Sequence, residues 1–165
     1  MKKMMIIGVL LICGCATMQV PDTAPVENAS YQEIILAPGQ SKKQLFEKSK
    51  QWLALTFVSA KKVIEYENEA EGKIIGNGSS TITFTVNNSM VGPTTVPYSV
   101  GYSMIEDIKD GKARILISNI KLLNMYGSAY SPIYVDGWQQ LKPKLEALCI
   151  SLRSFLISDP ENKNW

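Results

Sequence analysis

The chain alternates between two hydrophobic periods. From Thr81 to Val86 apolar and polar positions alternate strictly, with Ile82, Phe84 and Val86 on one side and three threonines on the other. This is the pattern of an antiparallel strand with one face in a core and one in water. Tyr98, Val100, Tyr102 and Met104 repeat it, and Ala113, Ile115 and Ile117 continue it beyond Lys109-Asp-Gly-Lys112. That tetrapeptide reads as a hairpin turn, because Asp-Gly suits the positive φ angles of type I′. Upstream, Tyr31–Leu36 reads as a first strand stopped by Pro38-Gly39. Lys62–Glu67 reads as a second, with Ile64 and Tyr66 on one side. A turn at Glu69-Ala-Glu-Gly72 then leads into a long strand from Lys73 to Val86.

Two stretches follow the helical period instead. Ser41 is placed to cap a helix running to about Phe57, with Gln44 in the third position that a capping box requires. Leu45, Ser49, Trp52, Leu53 and Thr56 would face a sheet, and Lys42, Lys43, Lys48 and Lys50 would form a solvated face. Near the C-terminus, Leu141, Leu145, Leu148, Leu152 and Phe155 make one apolar stripe over four turns. That helix should start near Asp136 and be irregular at Pro143, where a backbone hydrogen bond is lost. The element order β-α-β-β-β-β-α predicts an α+β fold: a two-layer sandwich with an antiparallel sheet and two helices on one face. The segment Asn87–Pro97 is expected to be a loop.

The first fifteen residues follow neither rule. Lys2 and Lys3 precede an apolar run from Met4 to Ile12, too short to span a bilayer as a helix, and Ile12-Cys-Gly-Cys15 follows. The stretch resembles a bacterial lipoprotein signal. The resemblance implies cleavage after Gly14, acyl chains on Cys15, stable membrane attachment and, with Ala16 after the cysteine, the outer membrane, periplasmic face. The expected organisation is a leader (1–14), a lipidated Cys15 with a flexible tether (15–30), one domain (31–157) and a frayed tail (158–165).

Composition then narrows the chemistry. Removing Lys2 and Lys3 from the 17 basic residues leaves parity with the 15 acidic ones, so the basic excess of a nucleic-acid partner is missing. Cys149 would be the remaining free thiol, which excludes an intramolecular disulfide. There is no histidine, which removes the commonest general base and metal ligand.

Phe46-Glu-Lys-Ser-Lys-Gln-Trp-Leu-Ala-Leu-Thr-Phe57, Ser59-Ala-Lys-Lys-Val-Ile-Glu-Tyr-Glu67 and Glu71-Gly-Lys-Ile-Ile-Gly-Asn-Gly78 resemble an uncharacterised domain family of Bacteroidota lipoproteins, domain of unknown function 4468. The Lys109–Lys112 hairpin is similar too. The resemblance covers about residues 31–120. It implies a TBP-like β-α-β-β-β-β-α layer and brings no catalytic residues. Fold alone does not imply DNA binding.

Several patterns invite a function. Glu65, Glu67, Glu69 and Glu71 alternate and would share a face if one strand ran through them, but a turn would splay them, so no metal site is expected. Glu106, Asp107 and Asp136 are carboxylates of the kind a hydrolase pairs across a cleft, though spacing fixes no pair. Gly76-Asn-Gly-Ser-Ser80 opens no helix and so lacks a phosphate loop's geometry; a bulge in a long strand accounts for it. Cys149 lies on the apolar stripe as a small hydrophobe. Tyr126, Tyr130, Tyr134 and Trp138 punctuate a segment of small and polar residues. They either cover the sheet edge and the first turn of the last helix or form a ligand or partner surface. The combined expectation is a non-catalytic, lipid-anchored interaction module without cofactor, meeting the membrane and an envelope protein or glycan. A carbohydrate- or small-ligand-binding lipoprotein is the alternative, and a carboxylate hydrolase stands third.

Overall fold

The alternating runs pair as strands because each has one apolar side to bury, and the two amphipathic helices close over that side. The computed structural model describes residues 24–57, 63–88, 91–124 and 126–158; the leader, Cys15 and the tail past Ser158 lie outside the described residues. The elements are β1 (Tyr31–Leu36), α1 (Lys42–Thr56), β2 (Ile64–Asn68), β3 (Lys73–Asn88), β4 (Gly92–Lys109), β5 (Lys112–Leu123), β6 (Ala129–Pro132) and α2 (Val135–Ile157). The strands form one antiparallel sheet in the order β1-β5-β4-β3-β2, with β6 also paired to β5. The two-layer α+β sandwich is therefore as expected. The core lies between sheet and helices and includes Ile82, Phe84, Val100, Met104, Ile115 and Ile117 from the sheet, with Trp52, Leu53, Leu145 and Leu152 from the helices.

The capping box at Ser41 forms: Gln44 N–H donates to Ser41 Oγ, and Ser41 N–H donates to Gln44 Oε1 at 2.9 Å. Leu45, Ser49, Trp52 and Leu53 are buried as expected, but Phe46 joins them and Thr56 is exposed. The cationic face is not simply solvated. Lys50 pairs with Glu67, and Lys48 Nζ donates to the carbonyls of Leu156 and Ser158, capping the end of α2 beside Gln40. In α2 the buried stripe is Leu141, Leu145, Cys149, Leu152 and Leu156, with Leu148 and Phe155 at its rim. The helix runs through Pro143 as one element from Val135.

Five expectations need correction. Ile64 and Tyr66 do not share a side: a bulge at Glu65 pairs Ile64 with Gly76 but Tyr66 with Ile75, so Ile64 packs on the core while Tyr66 faces outward. The bulge sits in β2; β3 itself keeps regular register with β4 from Lys73 to Asn88. The Asp110-Gly111 turn is not type I′, since Gly111 alone has positive φ (72°). Asp110 instead accepts a hydrogen bond from Lys42 N–H at 2.6 Å, tying the hairpin to the start of α1. Most of Asn87–Pro97 is strand rather than loop, because β3 and β4 stay paired to Asn88 and Gly92. β6 was not expected at all; it turns part of the tyrosine segment into a sheet edge.

The fifth correction concerns the tether. Residues 24–30 belong to the domain: Pro25 bridges Tyr134, Val26 N–H donates to Ile133 O, and Val26 and Ala29 pack on the core. The chain thus joins the sheet at the β6–α2 junction.

One edge is closed by a side chain. Past Asn77 the outer side of β3 has no neighbouring strand among the described residues. There Gln140 of α2 accepts from Thr83 N–H at 3.0 Å and donates to Thr83 O at 2.8 Å, while Lys144 donates to Thr81 O.

Candidate functional site

The tyrosine-rich end is built by three strands and the β5–β6 turn, meeting where β5 stops. Pro97, Tyr98 and Ser99 of β4, Leu123 of β5, Asn124 and Tyr130 of β6 line an open cleft of about 310 Å³. Asn124 shapes it. Its side-chain oxygen accepts from the N–H groups of Tyr126 and Ser128, and its carbonyl accepts from Gly127, which has φ 79°. This tight turn holds Tyr126 outward with 85% of its surface exposed. Tyr130 is 53% exposed, and partial burial together with neighbouring Tyr98 and Tyr134 pushes its phenol above the ordinary tyrosine value. Tyr98 packs edge-on against Phe84 at 5.2 Å.

The four aromatics singled out in the sequence therefore divide. Tyr130 lines the cleft and Tyr126 stands free of it. Tyr134 is the N-cap residue of α2, its hydroxyl bonded by Ser131 Oγ at 3.3 Å, and it packs with Trp138 on the core. Tyr98 is the residue that sequence reasoning missed, because its alternation marks it as core-facing. The available signal was that Tyr98 is the first residue of that alternation, next to Pro97.

The strand and turn segments of this end lack charge, and exposed Glu27 and Asp136 stand behind them where residues 24–30 meet the start of α2. Residues 74–105 and 122–135 contain no Lys, Arg, Asp or Glu. Because Ser99 pairs with Leu123, the β3–β4 ribbon from Ile82 to Tyr98 projects past the end of β5, carrying Val91, 74% exposed, close to its tip.

The opposite end is charged. On the sheet face away from the helices, Asp107 lies between Arg114 and Lys73 and pairs with both. These cations, Arg114 first, hold its carboxyl below the ordinary aspartate value against a smaller opposing effect of burial. Asp107 and Arg114 border a second cleft of about 380 Å³ reached by Ile34, Glu71, Lys109 and Lys112. Beside them an apolar row crosses the uncovered face through Leu116, Ile105, Ile75 and Tyr66.

The remaining candidates do not assemble. Glu106 lies buried on the helix side of β4, Asp107 on the opposite face, and Asp136 is exposed in the first turn of α2. Glu65 bonds Asn77 on the uncovered face while Glu67 reaches Lys50 on α1, so the acidic run is split by the β2 bulge. No cluster of three potential metal ligands occurs among the described residues. Gly78 is explained by packing, since a Cβ there would fall 2.3 Å from the Tyr102 ring. Cys149 is buried, and burial first, then Glu33 and Glu106, pushes its thiol up to about 12.

Glu106 is the unusual group. Burial raises its carboxyl from 4.5 to about 7. Ser49 lies against it and favours the ionised form, but neither side chain completes a hydrogen bond of normal geometry, so desolvation dominates.

A single antiparallel sheet covered on one face by two helices, in this strand order, defines the TBP-like class of α+β domains. Two solved structures are similar to it. A DUF4468 family protein from Bacteroides ovatus is 15% identical with a TM-score of 0.60, over 87% of this chain and 95% of that one. A TBP-like protein from Parabacteroides distasonis is 14% identical with a TM-score of 0.58, over 78% and 92%. Residues 31–122 match the family described as a domain of unknown function (DUF4468) with TBP-like fold, and the chain belongs to that family. No curated protein matches the sequence.

Proposed function

We propose that this protein is a lipid-anchored, non-catalytic binding module at the periplasmic face of a bacterial outer membrane, held by acyl chains on Cys15. Its contact surface is the tyrosine-rich end. The observation that supports this reading is the pair Tyr126 and Tyr130, two largely exposed aromatics beside a cleft. Exposed tyrosines combine a large apolar face with a polar edge and are favoured contact residues. The absence of histidine and the divergence of Glu106, Asp107 and Asp136 favour binding over hydrolysis.

A second reading is favoured by the uncharged cleft lining. Its volume is at the lower end of small-ligand sites, which span roughly 300–1,000 Å³, and stacking on Tyr98 or Tyr130 suits a neutral glycan. The test is in-cell photocrosslinking from positions 126 and 130, with Arg114 as the control position, combined with fractionation of Cys15→Ala. Crosslinks specific to 126 and 130 that vanish when Cys15→Ala leaves the membrane are expected. Membrane residence of Cys15→Ala removes the anchor.

A further inference from the structure

We propose that the free edge of β1 is an interface for a second copy of this chain, the two β1 strands pairing antiparallel across a two-fold axis at Ile34. The interface lies away from the tyrosine end and does not depend on its role.

The hydrogen-bond phase of β1 sets the register. Ala37 N–H donates to Gly111 O at 2.9 Å, one step past the pair Leu36 and Lys112. In an antiparallel ladder, every second residue turns both backbone groups towards its partner. Tyr31, Glu33 and Ile35 therefore bond to β5, and Gln32, Ile34 and Leu36 turn their backbone groups outward. No strand pairs with that side among the described residues. The same three residues share the sheet face away from the helices, because Ile35 between them is buried in the core. Ile34 is 57% exposed and Leu36 69%.

A strand edge is ordinarily protected by charge, proline, a bulge or a covering helix. β3 has Gln140 and Lys144 of α2, and β2 has the bulge at Glu65. β1 keeps regular register with β5, and its three outward positions hold neither charge nor proline.

The helix layer extends this surface. Glu146, Ile150, Arg153 and Ile157 step by four, three and four along one side of α2. Arg153 pairs with Glu33 of β1, so that side borders the same edge, and both Ile150 and Ile157 are exposed on it. An extended peptide would meet the strand alone. A second copy brings a strand and a helix side together and so matches both layers. Charge does not oppose the contact: Arg114 pairs with Asp107, Arg153 with Glu33 and Glu146 with Lys142, each within the chain. With Ile34 opposite its own copy, Gln32 meets Leu36 of the second chain, and the contact is self-complementary as a two-fold interface requires.

The test is cysteine crosslinking of the mature full chain in the bacterial envelope, with copper phenanthroline as oxidant. Cys149 is buried, and the parent chain is the blank. Hydrogen-bonded antiparallel partners have Cα atoms about 5.5 Å apart, within reach of a disulfide. Ile34→Cys is therefore expected to crosslink to its own copy. Gln32→Cys and Leu36→Cys, each about 14 Å from its own copy, should crosslink only when the two variants are co-expressed. Adding Ile34→Lys to both should abolish that crosslink while leaving the circular dichroism spectrum unchanged. No crosslink above the parent, equal self-crosslinking at all three positions, or a crosslink that survives Ile34→Lys overturns the proposal. Crosslinking gained only on deletion of residues 16–23 also overturns it and assigns the edge to the chain's own N-terminal segment. Capture of Ile34→Cys by a different protein, without its own copy, overturns it and assigns the edge to a heterologous strand.

Discussion

The two ends of β4 solve different problems with the same backbone. At the hairpin end, six of the nine residues from Glu106 to Arg114 are charged, and three of them, Asp107, Asp110 and Arg114, have structural partners. Asp110 fixes Lys42 at the start of α1, Gly111 N–H donates to Gln40 O, and Asp107 joins β3 to β5 through Lys73 and Arg114. At the ribbon end there is no charge, and the most exposed side chains, Tyr126 and Val91, have no hydrogen-bonding role of their own in holding the fold. Charge in this domain marks where the chain is stitched together; exposed aromatic surface marks where it is not needed for stitching.

The strongest challenge to the comparison is to disturb what both ends share. Trp52 is fully buried on α1, and its indole N–H donates to Ser151 Oγ at 3.1 Å. Trp52→Ala should cost about 3–5 kcal/mol in urea unfolding, with dyes at positions 110 and 126 reporting one coincident transition. Separate transitions would mean that the ends are independent units rather than two parts of one domain.

Next comes Glu106, beneath the sheet. Its folded-state value of about 7 exceeds its ordinary 4.5, so the folded chain holds a proton that the unfolded chain releases. The resulting stability is fully present below about pH 4.5 and is lost as pH rises through about 7. The loss amounts to about 3 kcal/mol at 1.36 kcal/mol per pH unit. Glu106→Gln should flatten that slope and leave the protein more stable than the parent at pH 8, measured by urea titration across pH 4–9.

The smallest effects separate the ends most directly. Asp107→Asn removes two surface ion pairs and should cost at most about 1 kcal/mol, less in high salt. Tyr126→Ser should leave the unfolding midpoint unchanged while reducing the yield of crosslinks from position 130. A larger stability loss at Tyr126 than at Asp107 would reverse the assignment of structural and contact roles.

Much of the architecture is legible in the sequence because burial on one face writes a period of two or 3.6 into the chain. Ile82, Phe84 and Val86, or Leu141, Leu145 and Leu152, needed no further information. What stayed hidden depends on single-residue irregularities. The bulge at Glu65 reverses Tyr66 and leaves no mark in residue type, whereas Asn119, with φ 52°, moves the buried positions of β5 from Ile117 to Ile120 and is a residue type suited to that φ, though its type alone does not announce the shift. The candidate site was half visible. Tyr126 and Tyr130 stood out by spacing, whereas Tyr98 reads as an ordinary core position until β6 places Tyr130 beside it. The docking of residues 24–30 leaves no periodic pattern because it combines two backbone hydrogen bonds with only two apolar contacts, Val26 and Ala29.

Gln140 carries a last consequence. Its amide presents one acceptor and one donor to Thr83, the same pair of groups that a peptide in an adjacent strand would offer, and Lys144 occupies the next free carbonyl at Thr81. An unpaired strand edge is a template on which another chain can add. Here a helix supplies a counterfeit neighbour at that level of β3, so this stretch of the sheet ends without recruiting one.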